Sequence, residues 1–206
     1  MKHLLLIVFS TFLSSCTFLT LMVLKAKKPE VESLEKIKEN AQENGVLEEG
    51  LYVLKEEDVL PNMFDELNEV FLFDKNGIAI DLRLVGTDAE CSGNVLGLVQ
   101  GLGKESFAVR DSSLTLNDEL NKAIHIDNKK SPVVDSKADY YAILYWNSFS
   151  GWRQNKDKIK TIKEYISKNE SVDIQLILVN EDFIEGPNWE EKITEYKMAL
   201  QQPTPK

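Results

Sequence analysis

Between Tyr140 and Leu200 the apolar pattern changes period three times, and this alternation constrains the fold more than any other feature of the chain. Tyr140–Trp146 is a continuous apolar run of strand length, suited to the interior of a sheet. Ile159, Ile162, Tyr165 and Ile166 then recur at helical spacing and predict a helix over Trp152–Lys168. Residues 172–179 read as a second buried strand. Pro187, Asn188 and Glu191 form a capping signature for a last helix through Leu200, with Trp189, Ile193, Tyr196 and Leu200 on one face. Strand, helix, strand, helix implies a parallel pair joined by a right-handed crossover. The expected fold is therefore α/β, a mixed sheet with flanking helices.

Upstream, residues 70–73 and 78–85 flank Asp74, Lys75, Asn76 and Gly77. Asn-Gly supplies the positive φ angles of a tight type I′ turn, so a hairpin is predicted with Ile78, Ile80, Leu82 and Leu84 on its core face. Residues 86–139 carry less signal, because Gly93, Gly97, Gly101 and Gly103 dilute Val95, Leu96, Leu98, Val99 and Leu102. A short helix is expected there. A second is expected from Asn117, as its cap, to Ala123, followed by a strand at 124–126.

The first two dozen residues point to a membrane. Residues 4–24 are apolar apart from Ser10, Thr11, Ser14, Ser15, Cys16, Thr17 and Thr20, behind a short charged start at Lys2. Leu13-Ser14-Ser15-Cys16 resembles a bacterial lipoprotein signal, in which Cys16 becomes the lipidated N-terminus. The competing reading is an uncleaved transmembrane helix, since 21 residues at 1.5 Å each reach roughly 31 Å. Lys25, Lys27 and Lys28 outweigh Lys2, which opposes an N-in anchor and favours the lipoprotein. Localisation to a bacterial cell membrane or outer membrane, with the soluble domain in the periplasm, is the expectation.

Three segments follow: residues 1–28 for membrane targeting, 29–50 as a charged helical stalk, and 51–206 as the α/β domain. In the stalk, Val31, Leu34, Ile37 and Ala41 form only a narrow stripe among charged residues, which favours a solvated spacer ended by Gly45. A net charge of −10 argues against nucleic acid, whose binding needs clustered Lys and Arg. With His125 and Cys91 the only histidine and cysteine beyond the N-terminal segment, no metal site of usual composition and no cofactor is expected.

After the strand at Tyr140–Trp146, the stretch Tyr145-Trp146-Asn147-Ser148-Phe149-Ser150-Gly151-Trp152-Arg153 resembles the active-site region of the thioredoxin-like family. There an apolar strand ends in aromatic residues and Cys-Gly-Pro-Cys opens a helix. Ser150 and Arg153 fall where the two cysteines would stand, Gly151 matches the glycine, Trp152 replaces the proline, and Phe149 takes the place of the usual tryptophan. The resemblance lies in the C-terminal third and covers residues 140–183, about a fifth of the chain. It implies a thioredoxin-like fold without its thiol chemistry, since that chemistry needs a thiolate and a resolving sulfur. Ser150 then reads as a helix N-cap.

The family's two further strands are missing after residue 183, and the 70–85 hairpin would fill their positions in a permuted arrangement. Trp146, Phe149, Ser150, Trp152 and Arg153 are the candidate binding residues, because a parallel sheet binds at the C-terminal ends of its strands. The expected function is a membrane-anchored, redox-inactive binding or scaffold protein with a protein or peptide partner. The alternative is a peroxidase-like enzyme using Cys91 alone.

Overall fold

The computed structural model describes residues 29–65, 70–80, 99, 101–104, 114–150 and 152–200. Its elements in chain order are β1 (Val31–Glu32), α1 (Leu34–Glu43), a 3-10 turn (Glu48–Gly50), β2 (Leu51–Leu54), α2 (Glu56–Asp65) and β3 (Val70–Asp74). Then come α3 (Leu116–Lys122), β4 (Ala123–His125), β5 (Tyr140–Trp146), α4 (Trp152–Lys168), β6 (Ile174–Asn180), β7 (Phe183–Ile184) and α5 (Trp189–Leu200).

Five strands form one mixed sheet in the order β3-β5-β6-β2-β4. The inner three, β5, β6 and β2, are parallel, while β3 and β4 close the two sides antiparallel. β3 lies antiparallel against β5 from Val70↔Leu144 to Asp74↔Tyr140, which sets the hairpin beside the strand that precedes α4. A second sheet of two short strands joins the described chain's ends, β1 parallel to β7.

Both faces of the sheet are covered, which accounts for the unbroken apolar run of β5. Ala142, Leu144 and Trp146 point into one core layer with Ile37 and Ala41 of α1 and Ile159 and Ile162 of α4. Tyr141, Ile143 and Tyr145 point into the other, with Val59 and Leu60 of α2, Leu116 and Leu120 of α3, and Trp189 of α5. The period of two along the strand thus serves two cores at once.

Three local expectations change. The 29–50 segment is not a solvated spacer: Ile37 and Ala41 are buried in the core, and Lys38 pairs with both Glu48 and Asp127 at 2.7 Å. The hairpin turn is wider than type I′, since Gly77 alone of the Asn-Gly pair has positive φ, at 77°. Asp74 causes this, its carboxylate accepting the backbone N–H of both Asn76 and Ile78 at 2.9 Å. Finally, α3 begins at Leu116 with Thr115 as its cap, not Asn117, and Thr115 Oγ1 accepts Asp118 N–H at 3.2 Å.

Among the described residues no helix is long and apolar enough to cross a membrane. Cys16 and the whole membrane-targeting expectation, Cys91 and the second half of the hairpin from residue 81 lie outside the described residues. The helix expected around 93–103 is described only at Val99 and residues 101–104, where Val99 and Leu102 are fully buried. Asn169 donates to both of their carbonyls, at 2.9 and 3.2 Å.

Candidate functional site

In-register pairing of β5 with β6, ending at Trp146↔Asn180, brings the C-terminal ends of the two strands out side by side. The chain then supplies Asn147 and Ser148 from one strand and Asn180, Glu181 and Asp182 from the other. All but Ser148 are buried. A buried polar group unpaired costs more than a hydrogen bond gains, so such a cluster persists only if its members satisfy one another.

They do so around two carboxylates. Glu181 receives the side-chain amides of Asn62, from α2, and Asn147, each at 2.8 Å. Asp182 receives Ser148 N–H at 2.8 Å, Ser148 Oγ–H at 2.9 Å and Asn180 Nδ2 at 2.8 Å. Its own N–H donates back to Asn180 Oδ1 at 3.1 Å. Asn147 Oδ1 accepts Ser150 N–H at 2.7 Å, and Asn155 of α4 donates to both Asn147 O and Ser150 Oγ. One network therefore fastens α2, α4 and the ends of β5 and β6 together.

Burial pushes the Asp182 carboxyl above its ordinary value, and the hydrogen bonds from Asn180 and Ser148 offset part of that push. Glu32 of β1 adds to it, with its Oε1 at 3.5 Å from the same Ser148 hydroxyl. A hydroxyl has one proton to give, and Asp182 at 2.9 Å holds it. The N-terminal strand thus brings a second carboxylate to the corner.

Of the expected binding residues, Trp146 is wholly buried, because β5 is an interior strand and its last side chain points into the layer under α1 and α4. Phe149, another candidate binding residue, is buried as well. Ser150 is partly exposed and sits within the network just described. Trp152 and Arg153 open α4, which places their backbone at the corner. The residues that build the corner, namely Asn62, Asn147, Asn155, Asn180, Glu181 and Asp182, escaped the sequence reading. A signal was present, since Asn180-Glu181-Asp182 follows a buried strand directly, where parallel sheets place their polar functional groups.

His125 lies elsewhere, on β4 at the opposite side of the sheet. Its ring meets Tyr52 edge-on at 5.6 Å and its Nδ1 accepts Asp127 N–H at 3.3 Å. Among the described residues, no group of three or more His, Cys, Asp and Glu side chains is placed to hold a metal ion. No protein-family model matches this chain, and no curated protein or solved structure shows significant similarity to it.

Proposed function

We propose that this protein is a redox-inactive binding or scaffold domain of thioredoxin-like descent, held to a bacterial envelope membrane by its first 28 residues. One observation carries the reading. Where a thioredoxin-like enzyme presents its thiols, between β5 and α4, this chain builds a network in which the Ser150 hydroxyl accepts from Asn155 and the Asn147 amide bonds both Glu181 and Ser150. Such a corner is rigid and preorganised for recognition, and its groups are committed to holding shape. The strand order supports the ancestry in the same sense: a parallel β5–α4–β6 unit, β2 beyond β6, and the antiparallel β3 beyond β5.

The test uses full-length protein extracted from membranes. Mass spectrometry should find a diacylglyceryl Cys16 at the N-terminus, and an intact Met1 would sink the lipoprotein reading. Disulfide reductase and peroxidase assays should give no turnover that depends on Cys91. Loss of a measurable peroxidase activity in Cys91→Ser would replace the binding reading with the single-cysteine enzyme. Trp152→Ala and Arg153→Ala should lower capture of an envelope partner with the melting temperature kept.

A further inference from the structure

β6 begins at Ile174, but β2 pairs with it only from Leu178 onward, at Leu51↔Leu178. Among the described residues, residues 174–177 therefore have no strand beside them on the β2 side, and the N–H groups among them that face away from β5 meet no turn or loop backbone acceptor, while the Gln175 side chain holds Val133 O and Asp135 N–H next to this stretch. Unpaired strand edge is a template for a further strand. This stretch opens into a slot of about 400 Å³ at the N-terminal end of β6, lined by Leu176 and Ile177 and walled by Leu47, Val133, Ile166 and Lys163.

Two further observations converge there. The two most exposed large hydrophobic residues among those described, Val133 at 76% and Leu47 at 74%, both line the slot. Exposed apolar residues scattered singly are ordinary, whereas these two line the same slot and add to one apolar surface there. The slot also bears Lys163 and no carboxylate among its described lining, on a chain whose net charge is −10. Lys163 donates one of its three protons to Gly45 O at 2.6 Å, which holds the ammonium at the rim with two more to offer.

We propose that the slot is a strand-addition site, taking an extended segment of a partner protein that pairs with residues 174–177, seats apolar side chains against Leu47 and Val133, and sets a carboxylate on Lys163. Main-chain bonds would supply affinity and the alternate pockets specificity. The inference is independent of the binding corner between β5 and α4, which lies at the other end of β6.

The test is selection of a phage-displayed random octapeptide library on the immobilised full-length protein in detergent, with affinities of the enriched peptides read by fluorescence polarisation. The expected peptides alternate apolar residues and carry an Asp or Glu. They should weaken at least tenfold on Leu47→Asp, on Val133→Asp and on Lys163→Glu, and a proline at the peptide's centre should abolish binding. All three positions are exposed, so Leu47→Asp and Val133→Asp should melt as the wild type does, while Lys163→Glu, which loses the bond to Gly45 O, should melt slightly lower.

The proposal is overturned if no peptide is enriched, or if enriched peptides bind the three variants as tightly as the wild type. It is equally overturned if sedimentation shows a dimer that Val133→Asp disperses, since the slot would then join two copies of this chain. Trp152→Ala and Arg153→Ala should leave peptide affinity unchanged. If they abolish it, the peptides occupy the corner and the slot proposal falls while the corner reading stands.

Discussion

Asp182 carries the clearest consequence of the buried network for a single residue. Its carboxyl is raised chiefly by burial from the ordinary value of 3.8, so the folded chain holds that proton more tightly than the unfolded chain. Its contribution to stability is therefore complete below the ordinary carboxylate value and is lost as pH rises through the raised folded value. Asp182→Asn removes this one dependence. The stability advantage of wild type over Asp182→Asn should be largest in acid and should narrow as pH rises, read from urea denaturation over a pH series. A constant difference would mean that Asp182 titrates as it does unfolded. Gly77 is a second residue fixed by backbone geometry, with φ at 77° and a Cβ position 3.2 Å from Leu116 Cβ. Gly77→Ala should cost about 1–2 kcal/mol, measured as a lower urea midpoint at unchanged slope.

Elements were legible in proportion to the length of their pattern. β5 and α4 have the boundaries that periodicity gave them, because long runs on an interior strand and a long amphipathic helix leave little choice. α1 is harder to read for the opposite reason. Its charged surface dominates the sequence, while its burial rests on Ile37 and Ala41, whose environment is made by residues of β2 and, far along the chain, of β5 and α4. The corner was hidden by the same non-locality: Asn62 and Glu181 meet across 119 residues of sequence. A direct measure of α1's role follows from the unequal exposure of its two aliphatic positions. Ile37→Ala, at a fully buried site, should cost about 2–4 kcal/mol. Leu34→Ala, at 37% exposure, should cost well under half as much. Equal and negligible losses by thermal denaturation would return the segment to the solvated spacer that its charge pattern suggests.

At the scale of the molecule, the strands that matter most to one another come from opposite ends of the chain. β2, at Leu51–Leu54, is an interior strand held between β6 and β4, and β1 clasps β7. Although the C-terminal third carries the most recognisable pattern, it does not hold a complete core. A fragment spanning residues 114–206 keeps β5, α4, β6 and α5 yet loses Ile37, Ala41, Val46, Leu51 and Val53 from one apolar layer. It loses Leu54, Val59, Leu60, Phe71 and Phe73 from the other. Apart from Ala41, each such side chain contributes roughly 1.5–3 kcal/mol by its burial, against a net stability of only about 5–15 kcal/mol for an ordinary domain. The fragment should therefore be unfolded alone, with collapsed amide dispersion in its NMR spectrum. Mixing it with a fragment spanning residues 29–104 should restore a dispersed spectrum, because the missing strands and helices dock through contacts the covalent chain does not need to enforce. A dispersed, cooperatively melting spectrum from residues 114–206 alone would show instead that the C-terminal α/β unit is an autonomous domain and that β1, α1 and β2 are additions to it.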